Sequence, residues 1–379
     1  MNEILKYMPV FRGMVEEKKV LKSFDFGDSI YPCLEIIKEL DQTKRENTKP
    51  QSLSTKKKPD KKFEDVYLPL IRDIKAEKVF VDLPTQLVAR RGMKKPTIEF
   101  ISTVISKRTV RTQYMQKFIP LSNKVIPVIS TYSQISGEIG SIKKQETDLR
   151  KDFKVLAFRT FCKTFDNDML QIEAVIKAKD YLIMDWEDTS IDINIDEHVE
   201  IIDKLNSMNC TVIVHRNAFP KDMTMVGLEH DKIIKYIDNA LLDNYKSYAA
   251  NCFSDYVGIK KHMLDDGGMT SPGFIYYDAT KNKYYGFRFK DGSHKKGGVR
   301  PHPREFETTI IPAVIKSNPT KRMKADLLDY LGDDNYGWQL IIDIDNGFEK
   351  GQSAGKFKRI SMEHYLHCLR TKINNGDFD

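Results

Sequence analysis

Short apolar runs that stop on a charged or polar residue, each followed by apolar positions at helical spacing, set the rhythm of the chain from Met1 to Lys261. The fullest case is Asp180-Tyr-Leu-Ile-Met-Asp-Trp-Glu-Asp188, where apolar residues end on carboxylates. An apolar run bounded by charge predicts a strand buried on both faces, and in a parallel sheet the residues at its C-terminal end stand where chemistry is done.

In chain order the predicted strands are Lys6 to Arg12, Ile30 to Ile36, Lys78 to Leu83, Lys124 to Ser130, Lys154 to Thr160, the run within Asp180 to Asp188, Cys210 to Arg216 and Asn251 to Lys260. Helical periodicity fills the intervals, including one predicted helix from His230 to Asn244. Eight strand-helix units of this length predict an α/β fold, a (β/α)8 TIM-barrel-like domain over residues 1–265. A doubly wound sheet fits less well, because no glycine-rich phosphate turn follows the first strand. Residues 41–62 are rich in Lys, Ser and Thr and read as an inserted loop.

Beyond residue 265 the pattern changes. Phe274 to Asp278 and Tyr284 to Phe289, joined by a polar turn, predict an aromatic β-hairpin. Helices at about Glu305 to Lys316, Lys321 to Leu331 and Ser361 to Ile373 complete a C-terminal α+β appendage over 266–379.

Hydrophobic residues make up 40% and charged residues 30% of the 379, ordinary for a globular protein. No apolar run reaches the length of a membrane span, and the opening Met-Asn-Glu-Ile-Leu-Lys has no apolar signal core, so the expected location is the cytoplasm. Five widely spaced cysteines argue against a disulfide framework. The net charge of +7 concentrates in Asp41 to Lys62 and Lys281 to Arg304, segments that can meet phosphates or simply be solvated loops.

The ordered set Tyr7-Met-Pro-Val-Phe-Arg-Gly13, Tyr31-Pro-Cys-Leu-Glu-Ile36, Val81-Asp82, Arg159, Leu182-Ile-Met-Asp185 and Ser254-Asp-Tyr256 resembles the beta-protein family of tailed phages and bacterial genomes. That resemblance implies a barrel-like fold and a setting of phage-host conflict, in defence or counter-defence, with no settled reaction.

In a barrel, Arg12, Glu35, Asp82, Arg159, Asp185 and one of His215 and Arg216 converge on one rim. Glu35, Asp82, Asp185 and Asp188 offer hard oxygen ligands for Mg2+ or Mn2+. Arg12, Arg159, Arg216 and Lys260 suit phosphate, and His215 suits proton transfer. Together they describe metal-assisted cleavage of a phosphoester, with Asp185, Glu35, Asp82, Arg159 and His215 as the catalytic set. The competing reading is that these charges pair with one another and plug the mouth. Counting Val212 and Val214 as inward selects Arg216 for the rim and puts His215 behind the barrel. A second surface would use Tyr276 and Tyr285 to stack bases beside Lys295, Lys296 and Arg300, binding nucleic acid or a protein partner. His364 and His367, one helical turn apart, read as core rather than as metal ligands.

Overall fold

The computed structural model describes residues 5–39, 62–261, 264, 273–288 and 304–379. Its centre is a closed barrel of eight parallel strands in sequence order: β1 (Tyr7–Phe11), β2 (Cys33–Glu35), β3 (Val79–Asp82), β4 (Val125–Ser130), β5 (Ala157–Phe161), β6 (Tyr181–Asp185), β7 (Thr211–His215) and β8 (Cys252–Asp255), with β8 pairing back onto β1. The expected (β/α)8 architecture is the one observed.

Period-two alternation divides each strand between two apolar environments. Met8, Cys33, Phe80, Ile126, Val128, Ala157, Tyr181, Ile183, Ile213 and Cys252 fill the barrel interior. Leu34, Val81, Ile129, Phe158, Leu182, Met184, Val212, Val214 and Phe253 instead pack under the helices. This is why the strands read as unbroken apolar runs rather than as alternating ones. Strand ends follow local chemistry. β2 starts after Pro32, which has no N–H to give a ladder.

Gly13, at φ 62°, turns β1 into α1 (Val15–Ser23). There the Glu17 carboxylate accepts from the backbone N–H groups of Arg12 and Met14 at 2.6 and 3.2 Å, which satisfies donors at the helix start. The outer layer continues with α2 (Phe63–Asp73), α3 (Lys95–Phe100, prolonged as a π-helical stretch Ile101–Ile105), α4 (Arg108–Gln116), α5 (Ser141–Leu149), α6 (Phe165–Ile172) and α7 (Asp196–Asn206).

The helix expected over His230 to Asn244 is not formed as such. Its first part becomes an edge strand, Lys232–Ile233, and only Ala240–Asn244 is helical. Tertiary pairing overrides local periodicity here, because the backbone of Lys232 and Ile233 pairs with Gly286 and Tyr285 of the hairpin. That hairpin is β9 (Gly273–Asp278) with β10 (Lys283–Arg288).

The C-terminal helix α8 (Ala354–Asn374) packs against α1 and β9 and covers the seam between β8 and β1. Tyr7 and Tyr365 both donate to the buried Asp255 carboxylate, at 2.5 and 2.6 Å. Gly258, at φ 63°, lies so close that a Cβ would stand 2.5 Å from the Tyr365 ring. The hydrophobic cluster beneath the outer helices is continuous with the apolar residues of the hairpin and of α8. Among the described residues no helix is long and apolar enough to cross a membrane.

Candidate functional site

Because Ile213 faces the barrel interior, parity carries His215 inward and Arg216 outward. The expected order of these two is therefore reversed. Val212 and Val214 lie against the helix layer, the opposite of the assumption on which that expectation rested. Arg216 instead pairs with Asp238 at 2.7 Å and Ser190 at 2.9 Å, outside the barrel.

The inward residues at the strand ends form a buried ionic ring. Arg159, from β5, is its hub. Nη1 donates to Glu35 at 2.9 Å and Asp82 at 2.7 Å, while Nε and Nη2 both donate to Asp185 Oδ2, at 3.0 and 2.6 Å. Arg12 Nε donates to the other oxygen of Glu35 at 2.9 Å. Arg111, on α4, reaches in from the helix layer to Asp82 at 3.0 Å and also bonds Leu83 O, Val128 O and Gln145. The ring charges thus pair with one another, as the plug reading expects.

Burial opposes the charge on Glu35, but Arg12 and Arg159 more than offset it and hold the carboxyl well below its usual range. Asp185 is likewise lowered against its burial, by Arg159 and His215. Asp82 is pushed up by burial, which its two guanidinium partners only partly offset.

Glu35, Asp82 and Asp185 are arranged around a guanidinium, and Asp188 stands apart, paired with Lys221 and Asn217. Among the described residues no three His, Cys, Asp or Glu side chains come together in a metal-holding group. With Arg159 at its centre, the carboxylate set does not fit a hard cation.

Above the ring opens a cleft of about 250 Å3 lined by Arg12, Gln86, Leu87, Arg90, Met93, Glu187, Asp188, Asn217, Lys221, Lys260, Lys261 and Leu264 among others. Five of its side chains are cationic and two acidic. Lys260 Nζ is held by the carbonyls of Lys221 and Met223, both at 2.6 Å. Among the described residues no acid lies within salt-bridge distance of Lys261, and its Nζ lies 4.7 Å from the centre of the Tyr256 ring. Burial lowers the Lys261 ammonium pKa, and Arg12 beside it adds to the effect.

Tyr256 ties the floor together. Its hydroxyl donates to Glu35 at 3.3 Å, Arg12 Cζ sits 5.6 Å from its ring centre, and the His215 ring meets it edge-on at 5.0 Å. The chain leaves two of these strand ends through left-handed turns at Glu187 and Val257, φ 53° and 56°. For a β-branched residue such as Val257 that conformation is strained, and strain of this kind gathers at functional sites.

The expected base-stacking surface is not formed. Tyr276 is fully buried, stacked on His364 at 4.7 Å. Tyr285 is 7% exposed and bonds Arg322 through its hydroxyl. Both faces of the hairpin are covered, so neither ring can receive a base. Lys295, Lys296 and Arg300 lie outside the described residues. His364 bonds Tyr277 O and Asn335, and His367 bonds Asp329 O, as core histidines do.

Three participants escaped the sequence reading. Arg111 shares the buried face of α4 with Thr112 and Met115, and a cation there is a readable sign of an internal partner. Lys261 gave no such signal because the turn after β8 breaks the alternation, and Ser254, within β8, is a small hydroxyl that carries no charge to mark it.

A (β/α)8 barrel whose mouth combines a self-paired ionic ring with a cationic cleft is the class these features define. The chain matches the Beta protein family over residues 7–370 and belongs to that family. No curated protein and no solved structure matches it.

Proposed function

We propose that the barrel mouth is a binding site for a phosphate-bearing ligand such as a nucleotide. The observation that supports this reading is the excess of cationic over acidic side chains lining the cleft, among them Lys261, which has no ion pair among the described residues. A partly buried ammonium that feels Glu35 and Asp185 only at a distance and has Arg12 beside it is disfavoured, and an anion entering next to it offsets that cost. Arg12 brings a planar fork to the same floor, suited to phosphate oxygens. Arg159 is a support in this reading, since its donors are committed to the carboxylates that hold the ring. The phase of phage-host conflict implied by the family resemblance supplies a setting in which nucleotide and nucleic-acid ligands abound.

Ligand binding raises the stability of the state that binds. The test is a thermal-shift series of the full chain with inorganic phosphate, pyrophosphate and mononucleotides, for wild type and Lys261→Met. Wild type is expected to shift with at least one of them, and the variant to lose about tenfold or more in affinity. No shift with any, or an equal shift in the variant, would overturn the reading.

A further inference from the structure

His215 lies inside the ring, 1% exposed, flanked in register by Asp185 on β6 and Ser254 on β8. Its Nδ1 is 2.8 Å from Ser254 Oγ. The Ser254 hydroxyl has a single proton, and it is donated to the carbonyl of Met8 at 2.6 Å. A carbonyl can only accept, so Ser254 Oγ must act as acceptor toward the imidazole, and the ring proton resides on Nδ1. Nε2 then carries a lone pair.

Among the described residues Nε2 has no hydrogen-bond partner. The donors around it are engaged elsewhere, Arg159 with three carboxylates and the Tyr256 hydroxyl with Glu35. Ser130 Oγ, at the inward end of β4 beside Arg159, is likewise buried and without a partner. Buried polar atoms are rarely left unpaired, and two of them here share the ring beneath the cationic cleft. Desolvation also pushes the imidazole down to about 4, so it is neutral at physiological pH.

We infer that the ligand of the mouth carries a hydroxyl or N–H donor beside its phosphate, and that His215 Nε2 accepts a hydrogen bond from it, which makes the ligand class phosphorylated alcohols or nucleotides rather than simple anions. This inference rests on the phosphate-binding reading above. Arg12 and Lys261 take the phosphate, and His215 reads the neighbouring donor. In this role the ring is fixed by Ser254 from one side and by the Tyr256 edge contact from the other, a preorganised acceptor with no rotamer left to order.

Two measurements test it on the full chain. Long-range 1H–15N correlation spectra of 15N-histidine protein at pH 7 are expected to show a neutral His215 with its proton on Nδ1; a proton on Nε2 would overturn the inference. Calorimetric titrations would then compare inorganic phosphate with ribose 5-phosphate, glycerol 3-phosphate and AMP. At least one phosphorylated alcohol is expected to bind about tenfold tighter than phosphate in wild type, with that advantage lost in His215→Phe while phosphate affinity is kept. Equal affinities in wild type, or an advantage that survives the substitution, sink the inference and leave the phosphate site standing. Failure of every probe to bind sinks both.

Discussion

Arg159 and Asp185 lie on adjacent strands, and the guanidinium donates twice to a single carboxylate oxygen, at 3.0 and 2.6 Å. Both side chains are almost completely buried. A fully desolvated pair is a weak source of net stability, yet removing one member strands the other charge. Asp185→Asn is therefore expected to destabilise the fold by roughly 3–5 kcal/mol. Urea denaturation at neutral pH checks this. A loss under about 1 kcal/mol would mean that the ring is wet and that Arg159 is not held by it.

Lys261 should behave in the opposite way. Its ammonium is partly buried, and among the described residues no acid lies within salt-bridge distance of it, so Lys261→Met is expected to leave the melting temperature unchanged or raise it slightly. A clear drop in a thermal scan would show that the lysine supports the fold and would remove the reason for assigning it to a ligand.

Protonation of buried histidines gives a pH signature. Burial pushes His364 down to about 4, as it does His215. Between the ordinary value of 6.5 and about 4 the unfolded chain binds a proton that the native imidazole refuses, so the contribution is intact above about pH 6.5 and is lost as pH falls through this window. The full loss is roughly 3 kcal/mol per histidine. Stability of His364→Asn measured from pH 7 to 4 should fall less steeply than that of wild type. Parallel curves would place the proton elsewhere.

The Asp255 carboxylate fastens α8 to the barrel through Tyr7 and Tyr365. Burial raises its pKa, with the tyrosine hydroxyls acting against that. Tyr365→Phe removes one donor from a buried acceptor and is expected to cost about 1–3 kcal/mol. Hydrogen exchange should accelerate in α8 and at β1 before it does in β5 and β6. Uniform acceleration would mean that α8 opens only with the whole fold.

The barrel was legible in the sequence because each strand is apolar on both faces and stops on charge, a pattern few other folds require. Glu35, Asp82, Arg159 and Asp185 were placed at the rim by the same grammar. Inward and outward sets are both apolar, however, so Val212 and Val214 looked as eligible as Ile213, and the parity of His215 and Arg216 was read the wrong way round. The pairing of the carboxylates with Arg159 was hidden for a related reason. Residue types at strand ends do not tell whether carboxylates face a cation or the Arg159 fork. Alternation in the hairpin promised one open aromatic face, yet α8 and the strand Lys232–Ile233 help enclose it, contacts made by residues distant in sequence. Lys261 follows the strained turn at Val257, where periodicity no longer assigns direction.

The most direct measurement is a crystal structure of the full chain soaked with tungstate, a phosphate analogue located by its anomalous scattering. The predicted peak lies in the mouth, in contact with Lys261 and the Arg12 guanidinium above the intact Arg159 ring. Tungstate bound elsewhere with none in the mouth, or only after the ring has come apart, would contradict the account.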